Sequence, residues 1–167
     1  MNERTNERTR TYALPAGGTR MDMAALGGPM RLLVGANDSG GGLTVLEQRL
    51  DEPGGPPLHV HDAADEVLMV IEGGPLTVVI GDRRLEVEEG GLAWIPRGTP
   101  HSFSNLSGRP LRMLGIATPG GMERALHEQA EYIIGLGGAQ PPDVGTIVPI
   151  WKEKGRIVGP PVMPKLT

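Results

Sequence analysis

The chain has 167 residues, a formal net charge of −4 and no cysteine. This is the size of one domain able to bury a single core, and without thiols there is no disulfide, no thiolate nucleophile and no thiolate metal site. No long basic stripe and no apolar run near the roughly 18 residues of a membrane span occur, so neither nucleic acid nor a membrane is an expected partner; with no charged-then-apolar leader, the expected location is the cytoplasm.

Residues 1–20 contain a repeated polar tetrapeptide, NERTNERT, and read as a flexible N-terminal arm. Residues 21–118 read as an all-β unit. From Met30 onward they fall into short apolar or alternating runs: MRLLVGA, LTVLEQRL, EVLMVIEG, PLTVVIG, RLEVEEG, GLAWIP, HSFSNL and PLRMLGIAT. Gly, Pro, Asn or Asp bounds each run, as in the strands of a sandwich or barrel. The Gly81-Asp82 step between two strand-like arms predicts a type II′ hairpin. Residues 119–167 read as a helix and a wrapping tail. Thr118 is the expected cap and Pro119 the first helical residue, with an apolar stripe of Met122, Leu126, Ala130 and Ile133 or Ile134 ending at Gly135. Beyond Gly137 the chain is rich in Pro and Gly, with one short helix predicted near GTIVPIWKEKG.

Only four histidines are present, and two of them, His59 and His61, stand at strand spacing. Side chains at i and i+2 of a strand share a face about 6.5–7 Å apart, so two neutral imidazoles can reach one cation at roughly 2.0–2.2 Å. Glu66 follows across DAAD, a segment short enough to bend the chain and return a carboxylate to the same centre. His101 begins the run after a Pro-x-Gly turn, and a sandwich can bring that strand opposite the first pair. Alone, His59 and His61 would fit two exposed strand histidines; Glu66 and His101 make a metal site the better reading. Asn105 reads as a turn or supporting hydrogen-bonding residue and His127 as a surface residue of the helix. Glu47 fits either the pocket or the solvent face. EVEEG reads as a solvated strand face, and Trp94 and Phe103 as core or pocket wall.

These residues resemble the two motifs of the cupin superfamily, Gly-x5-His-x-His-x3-4-Glu-x6-Gly and Gly-x5-Pro-x-Gly-x2-His-x3-Asn. Gly90, Pro96, Gly98, His101 and Asn105 meet the second in full. His59, His61, Glu66 and Gly73 meet the first, while Pro53 replaces its leading glycine and Gly54 stands one place late. The resemblance implies a double-stranded β-helix, or jelly-roll barrel, over residues 21–118, with the short helix and extended tail appended. It also extends to single-domain proteins similar to quercetin dioxygenases, through GGPPLHVHDAADEVLMVIEG, ATPGGMER and VPIWKEKGRIVGPP. In that group aromatic residues often follow the glutamate. Here Val67, Leu68 and Met69 do, which argues against a pocket built to stack a flavonol.

The expected metal ligands are His59, His61, Glu66 and His101, and the expected cofactor is one divalent first-row transition ion: Fe, Mn, Ni, Co, Cu or Zn. Six-coordination by four protein ligands leaves positions open, as catalysis requires. The resemblance implies a dioxygenase that uses O2 on an enolic or hydroxylated carbonyl small molecule, with Glu66 as the proton acceptor. A non-oxidative cyclase or isomerase and a metal-dependent binding protein without turnover are the alternatives. A homodimer is expected, because edge strands need cover.

Overall fold

The computed structural model describes residues 10–25, 28–51, 53–137 and 143–161. The part of the N-terminal arm that carries the NERT repeat lies outside the described residues. Residues 10–20 run against the body of the protein: the Tyr12 hydroxyl donates to the Leu33 carbonyl at 2.6 Å, and the Arg20 N–H donates to the Leu32 carbonyl at 2.8 Å.

Among the described residues the elements are β1 (Met21–Ala25), β2 (Gly28–Val34), α1 (Ala36–Ser39), β3 (Thr44–Leu50), β4 (Pro57–Val60), β5 (Asp65–Gly73), β6 (Leu76–Ile80), β7 (Arg83–Val87), β8 (Leu92–Ile95), β9 (His101–Ser104), β10 (Leu111–Thr118), α2 (Glu123–Gly135), α3 (Val144–Trp151) and β11 (Arg156–Pro161). The strands form two antiparallel sheets, ordered β1-β2-β3-β10-β5-β8 and β11-β4-β9-β6-β7, which face each other as a jelly-roll barrel. The expected all-β class is observed.

Two-residue periodicity sets the faces. In β5, Glu66, Leu68 and Val70 are buried and alternate with half-buried Asp65, Val67 and Met69. In β3, Thr44, Leu46, Gln48 and Leu50 point inward in the same way. The inward side chains build one apolar cluster between the sheets, including Leu50, Leu68, Val70, Leu76, Val78 and Leu111, each at most 1 % exposed. Burying one such side chain stabilises the fold by about 1.5–3 kcal/mol. A second cluster joins Met23, Met30, Leu32, Leu46 and Ala117 to Met122, Leu126 and Ala130 of α2. The predicted hairpin is present: Ile80 pairs with Arg83, and Gly81 takes a left-handed φ of 61° while Asp82 does not, as type II′ requires.

The helix start differs from the sequence reading. Thr118 closes β10, its hydroxyl donating to the Gly42 carbonyl, and α2 begins at Glu123 rather than Pro119. Two glycines sit where the first turn would lie. Gly121 has φ 111°, outside helical backbone, and a methyl on Gly120 would meet the Leu43 carbonyl oxygen at 2.6 Å. The stripe holds at Met122, Leu126 and Ala130 but stops short of Ile134, which is 62 % exposed. The short helix predicted in the tail is α3, capped by Asp143, whose Oδ2 accepts from the Thr146 N–H at 3.0 Å. The rest of the described tail, β11, pairs with β4 and so covers an edge of its own barrel.

Candidate metal centre

His59 lies in β4, His61 immediately after it, His101 at the start of β9 and Glu66 near the start of β5. Their ligand atoms all fall within 4.8 Å of one another. The His59 and His61 Nε2 atoms are 3.1 Å apart, and Glu66 Oε2 is 2.9 Å from His101 Nε2 and 3.9 Å from His61 Nε2. His101 stands opposite the first pair within the same sheet. β9 is the neighbour of β4, with His101 registered against His59, and it is Glu66 that faces them from the other sheet, paired with Ala117 and Ile95. Strand order in a jelly roll depends on long connections, which linear periodicity does not encode.

The turn chemistry of the second motif explains how His101 arrives there. Gly98 adopts φ 78°, which only glycine takes without strain, and its N–H donates to the His61 carbonyl at 2.8 Å. Arg97 of the same turn is held by Asp65, which accepts its backbone N–H at 2.9 Å and its guanidinium at 2.7 Å. These contacts push the half-buried Asp65 carboxyl down to about 2. The residue beside Glu66 thus ties the Glu66 strand to the His101 turn.

Each imidazole is oriented through its other nitrogen. His59 Nδ1 donates to the Pro57 carbonyl at 2.8 Å, His101 Nδ1 to that of Thr99 at 2.9 Å and His61 Nδ1 to that of Lys154 at 2.7 Å. A carbonyl only accepts, so all three Nδ1 atoms carry the proton; the three Nε2 atoms point inward, that of His101 donating to Glu66 Oε2 at 2.9 Å. Burial, reinforced by the His101 and His61 rings, lowers His59 to about 3, and burial also lowers His61. Both rings are therefore neutral, and their Nε2 atoms, 3.1 Å apart, are close enough to reach one cation. Burial disfavours charge on Glu66 and His101 as well, but their mutual hydrogen bond and the attraction of opposite charges together outweigh it, lowering Glu66 and raising His101. Neutral imidazole nitrogens and one carboxylate are a donor set suited to a divalent first-row transition ion. The buried cluster suggests a metal site.

The cluster opens into a cavity of about 350 Å³ whose wall is largely apolar, with Leu68, Phe103 and Met113 from the first cluster and Met30, Leu46 and Met122 from the second. Polar side chains are few there. Gln129 sits on the buried face of α2, and its Oε1 accepts the Trp151 indole N–H at 2.7 Å. Its amide Nε2 has no protein partner among the described residues. Gln48, Gln129, Trp151 and Gly155 line the cavity but were missed in the sequence. The available signal was Gln129, which continues the Met122–Leu126 stripe at helical spacing.

The other candidates lie elsewhere. Glu47 is on the outer face, paired with Arg31 at 2.6 Å and Arg112 at 3.3 Å. Asn105 is a turn residue: its Nδ2 donates to the Leu50 and Arg109 carbonyls, and its Oδ1 accepts from Ser107. His127 is half-buried on α2 and outside the cluster. Glu86, Glu88 and Glu89 of EVEEG are exposed, as expected. Phe103 is pocket wall, whereas Trp94, expected in core or wall, stands 51 % exposed on β8.

The family model described as "Cupin domain" matches residues 47–117, from within β3 to the end of β10. Among solved structures the chain is similar to a sugar phosphate isomerase from a cupin superfamily of Silicibacter pomeroyi, with 24 % identity, a TM-score of 0.53 and coverage of 64 % of this chain and 75 % of that one. It is similar to a mutant of the oxalate decarboxylase of Bacillus subtilis, with 26 % identity, a TM-score of 0.53 and coverage of 60 % of this chain but only 28 % of that one. It is also similar to the polyketide cyclase RemF from Streptomyces resistomycificus, at 30 % identity, TM-score 0.49 and coverage of 55 % and 65 %. No curated protein sequence matches. The domain match covers the central strands, and the barrel has the cupin fold. The isomerase and the decarboxylase differ in chemistry, so likeness alone selects no reaction, and neither is a quercetin dioxygenase. No described helix is long and apolar enough to cross a membrane.

Proposed function

We propose that this protein is a metal-dependent dioxygenase acting on an enolic or hydroxylated carbonyl compound, with O2 as oxidant. The observation that carries the reading is the convergence of three inward Nε2 atoms and one carboxylate at the wall of an apolar cavity of about 350 Å³. That volume suits one small molecule. A divalent ion held by His59, His61, Glu66 and His101 would supply Lewis acidity and replaceable coordination positions.

The protein's own groups define the rest. The buried Glu66 carboxylate is positioned to accept the proton of a substrate enol or hydroxyl. The free Gln129 N–H groups can donate to a substrate oxygen away from the cluster, and the Leu, Met and Phe wall excludes water from the reacting end. Of the residues after the glutamate only Leu68 lines the cavity, so no aromatic ring enters the pocket from that strand segment, and the substrate is an aliphatic or singly aromatic compound in preference to a flavonol. Steady O2 uptake by metal-reconstituted protein over a panel of enolic and hydroxylated carbonyl compounds is the expected result. Product formation under strict anaerobiosis would sink the dioxygenase reading in favour of a non-oxidative cyclase or isomerase. Displacement of the metal's optical signature by these compounds, without any product, would leave a binding protein.

We also propose a homodimer. With β4 covered by β11, the exposed apolar edge is β8, where Leu92 and Trp94 stand two residues apart on one face, 59 % and 51 % exposed. Light scattering at tens of micromolar is expected to give twice the 17.7 kDa chain mass, and Trp94→Glu to give the monomer. A wild-type monomer at that concentration would refute the proposal.

A further inference from the structure

Two of the three imidazoles are oriented from within their own segments, through carbonyls two residues upstream, whereas His61 is oriented by the Lys154 carbonyl, 93 positions along the chain. That carbonyl belongs to an arm, residues 143–161, which forms one wall of the cavity through Ile147, Trp151, Gly155 and Ile157. The arm is anchored by buried Ile147 of α3, by the Trp151 indole on Gln129 and by the pairing of Arg156 and Ile157 with Val60 and His59. Between helix and strand the chain turns tightly, the N–H groups of Lys154 and Gly155 both donating to the Trp151 carbonyl at 2.7 Å. Gly155 is pressed on the ligand: a methyl there would lie 2.9 Å from His61 Nδ1 and 2.9 Å from the Val60 carbonyl oxygen. The Trp151 ring is 6.0 Å from the His61 ring and forms cavity wall.

We infer that the C-terminal arm is the positioning element of His61, so that docking of the arm and binding of the metal form one coupled equilibrium; this rests on the metal-site reading above. The physical reason is the Nδ1–H. Undocked, the arm takes away the acceptor that fixes the His61 tautomer and ring, and an imidazole free to rotate or to protonate at Nε2 is a weaker ligand. Linkage makes the effect reciprocal: whatever the docked arm adds to metal affinity, the metal returns to arm docking. The same movement removes Ile147, Trp151 and Ile157 from the cavity wall, so the site is enclosed only when its third imidazole is set.

The test uses the full-length chain, Co²⁺ alone as probe, calorimetric titration for affinity and hydrogen exchange for the arm. In the wild type, Co²⁺ is expected to slow amide exchange across residues 143–161. Gly155→Ala, which displaces the His61 ring without deleting a ligand, should bind Co²⁺ about 10- to 100-fold more weakly, the usual cost of losing a supporting contact behind a metal ligand. Ile147→Ala touches no ligand and serves if Gly155→Ala fails to fold. It should speed exchange across the arm and weaken Co²⁺ binding together. An Ile147→Ala chain whose arm exchanges faster while Co²⁺ affinity stays at the wild-type value would overturn the inference, as would a wild-type arm indifferent to Co²⁺. Wild-type protein that takes up no Co²⁺ would instead defeat the metal-site reading, and this inference with it.

Discussion

His61→Ala is expected to lose most of the metal that the wild-type chain takes up stoichiometrically, while the barrel stays folded. The magnitude follows from dividing the affinity among the ligands. Four-ligand protein sites hold a divalent ion with roughly 10–16 kcal/mol at neutral pH, so one nitrogen is worth about 3 kcal/mol, or about a hundredfold in affinity. His61 is 3 % exposed, yet it belongs to neither apolar cluster, and removing it also relieves the crowding of two Nε2 lone pairs 3.1 Å apart. The metal-free melting temperature should therefore move by only about 2–4 °C, the equivalent of about 1 kcal/mol in a chain of this size. Elemental analysis after reconstitution and dialysis checks the first part, and thermal unfolding in chelator the second. Less than about a tenth of an equivalent in the wild type would end the metal-site reading. Full occupancy in His61→Ala at wild-type affinity would remove His61 from the ligand set.

The sequence made this site legible because its ligands sit on strands whose alternation is strict. In β5 the inward positions are Glu66, Leu68 and Val70, so a carboxylate placed in phase with two core residues had to face the interior. The Pro-x-Gly turn likewise announced a strand start at His101. Strand order was not legible: nothing in the local pattern says that β9 lies beside β4 or that Glu66 approaches from the facing sheet. The helix start was misread because Thr118-Pro119 carries capping chemistry, while Gly120 is needed for the close crossing over Leu43 and Gly121 for its φ of 111°. The arm was least legible. RIVGPP looks like an irregular tail, yet prolines are tolerated on an edge strand such as β11, where an N–H can face solvent. Its decisive contact is a main-chain carbonyl, which every residue possesses and no residue type advertises.

Glu66→Gln separates a catalyst from a container. The carboxylate lies 2.9 Å from His101 and is held ionised by that contact against its burial, so it is both a competent ligand and a competent proton acceptor. The amide keeps the shape and one oxygen donor but cannot accept a proton at neutral pH. If Glu66 only completes the charge balance of the site, the variant should bind metal more weakly, and saturating metal should restore wild-type turnover. If it also takes the substrate proton, the fully remetallated variant should bind substrate normally and lose about 10² to 10⁴ in rate, or about 3–5 kcal/mol in the barrier. The second outcome is the one expected. Three inward imidazoles already furnish most of a divalent site, and among the described residues no other carboxylate lines the cavity. Stopped-flow turnover with metal content measured on the same sample decides the matter; wild-type rates in a fully metallated Glu66→Gln chain would leave Glu66 as a ligand alone and move the proton acceptor to the substrate or to water.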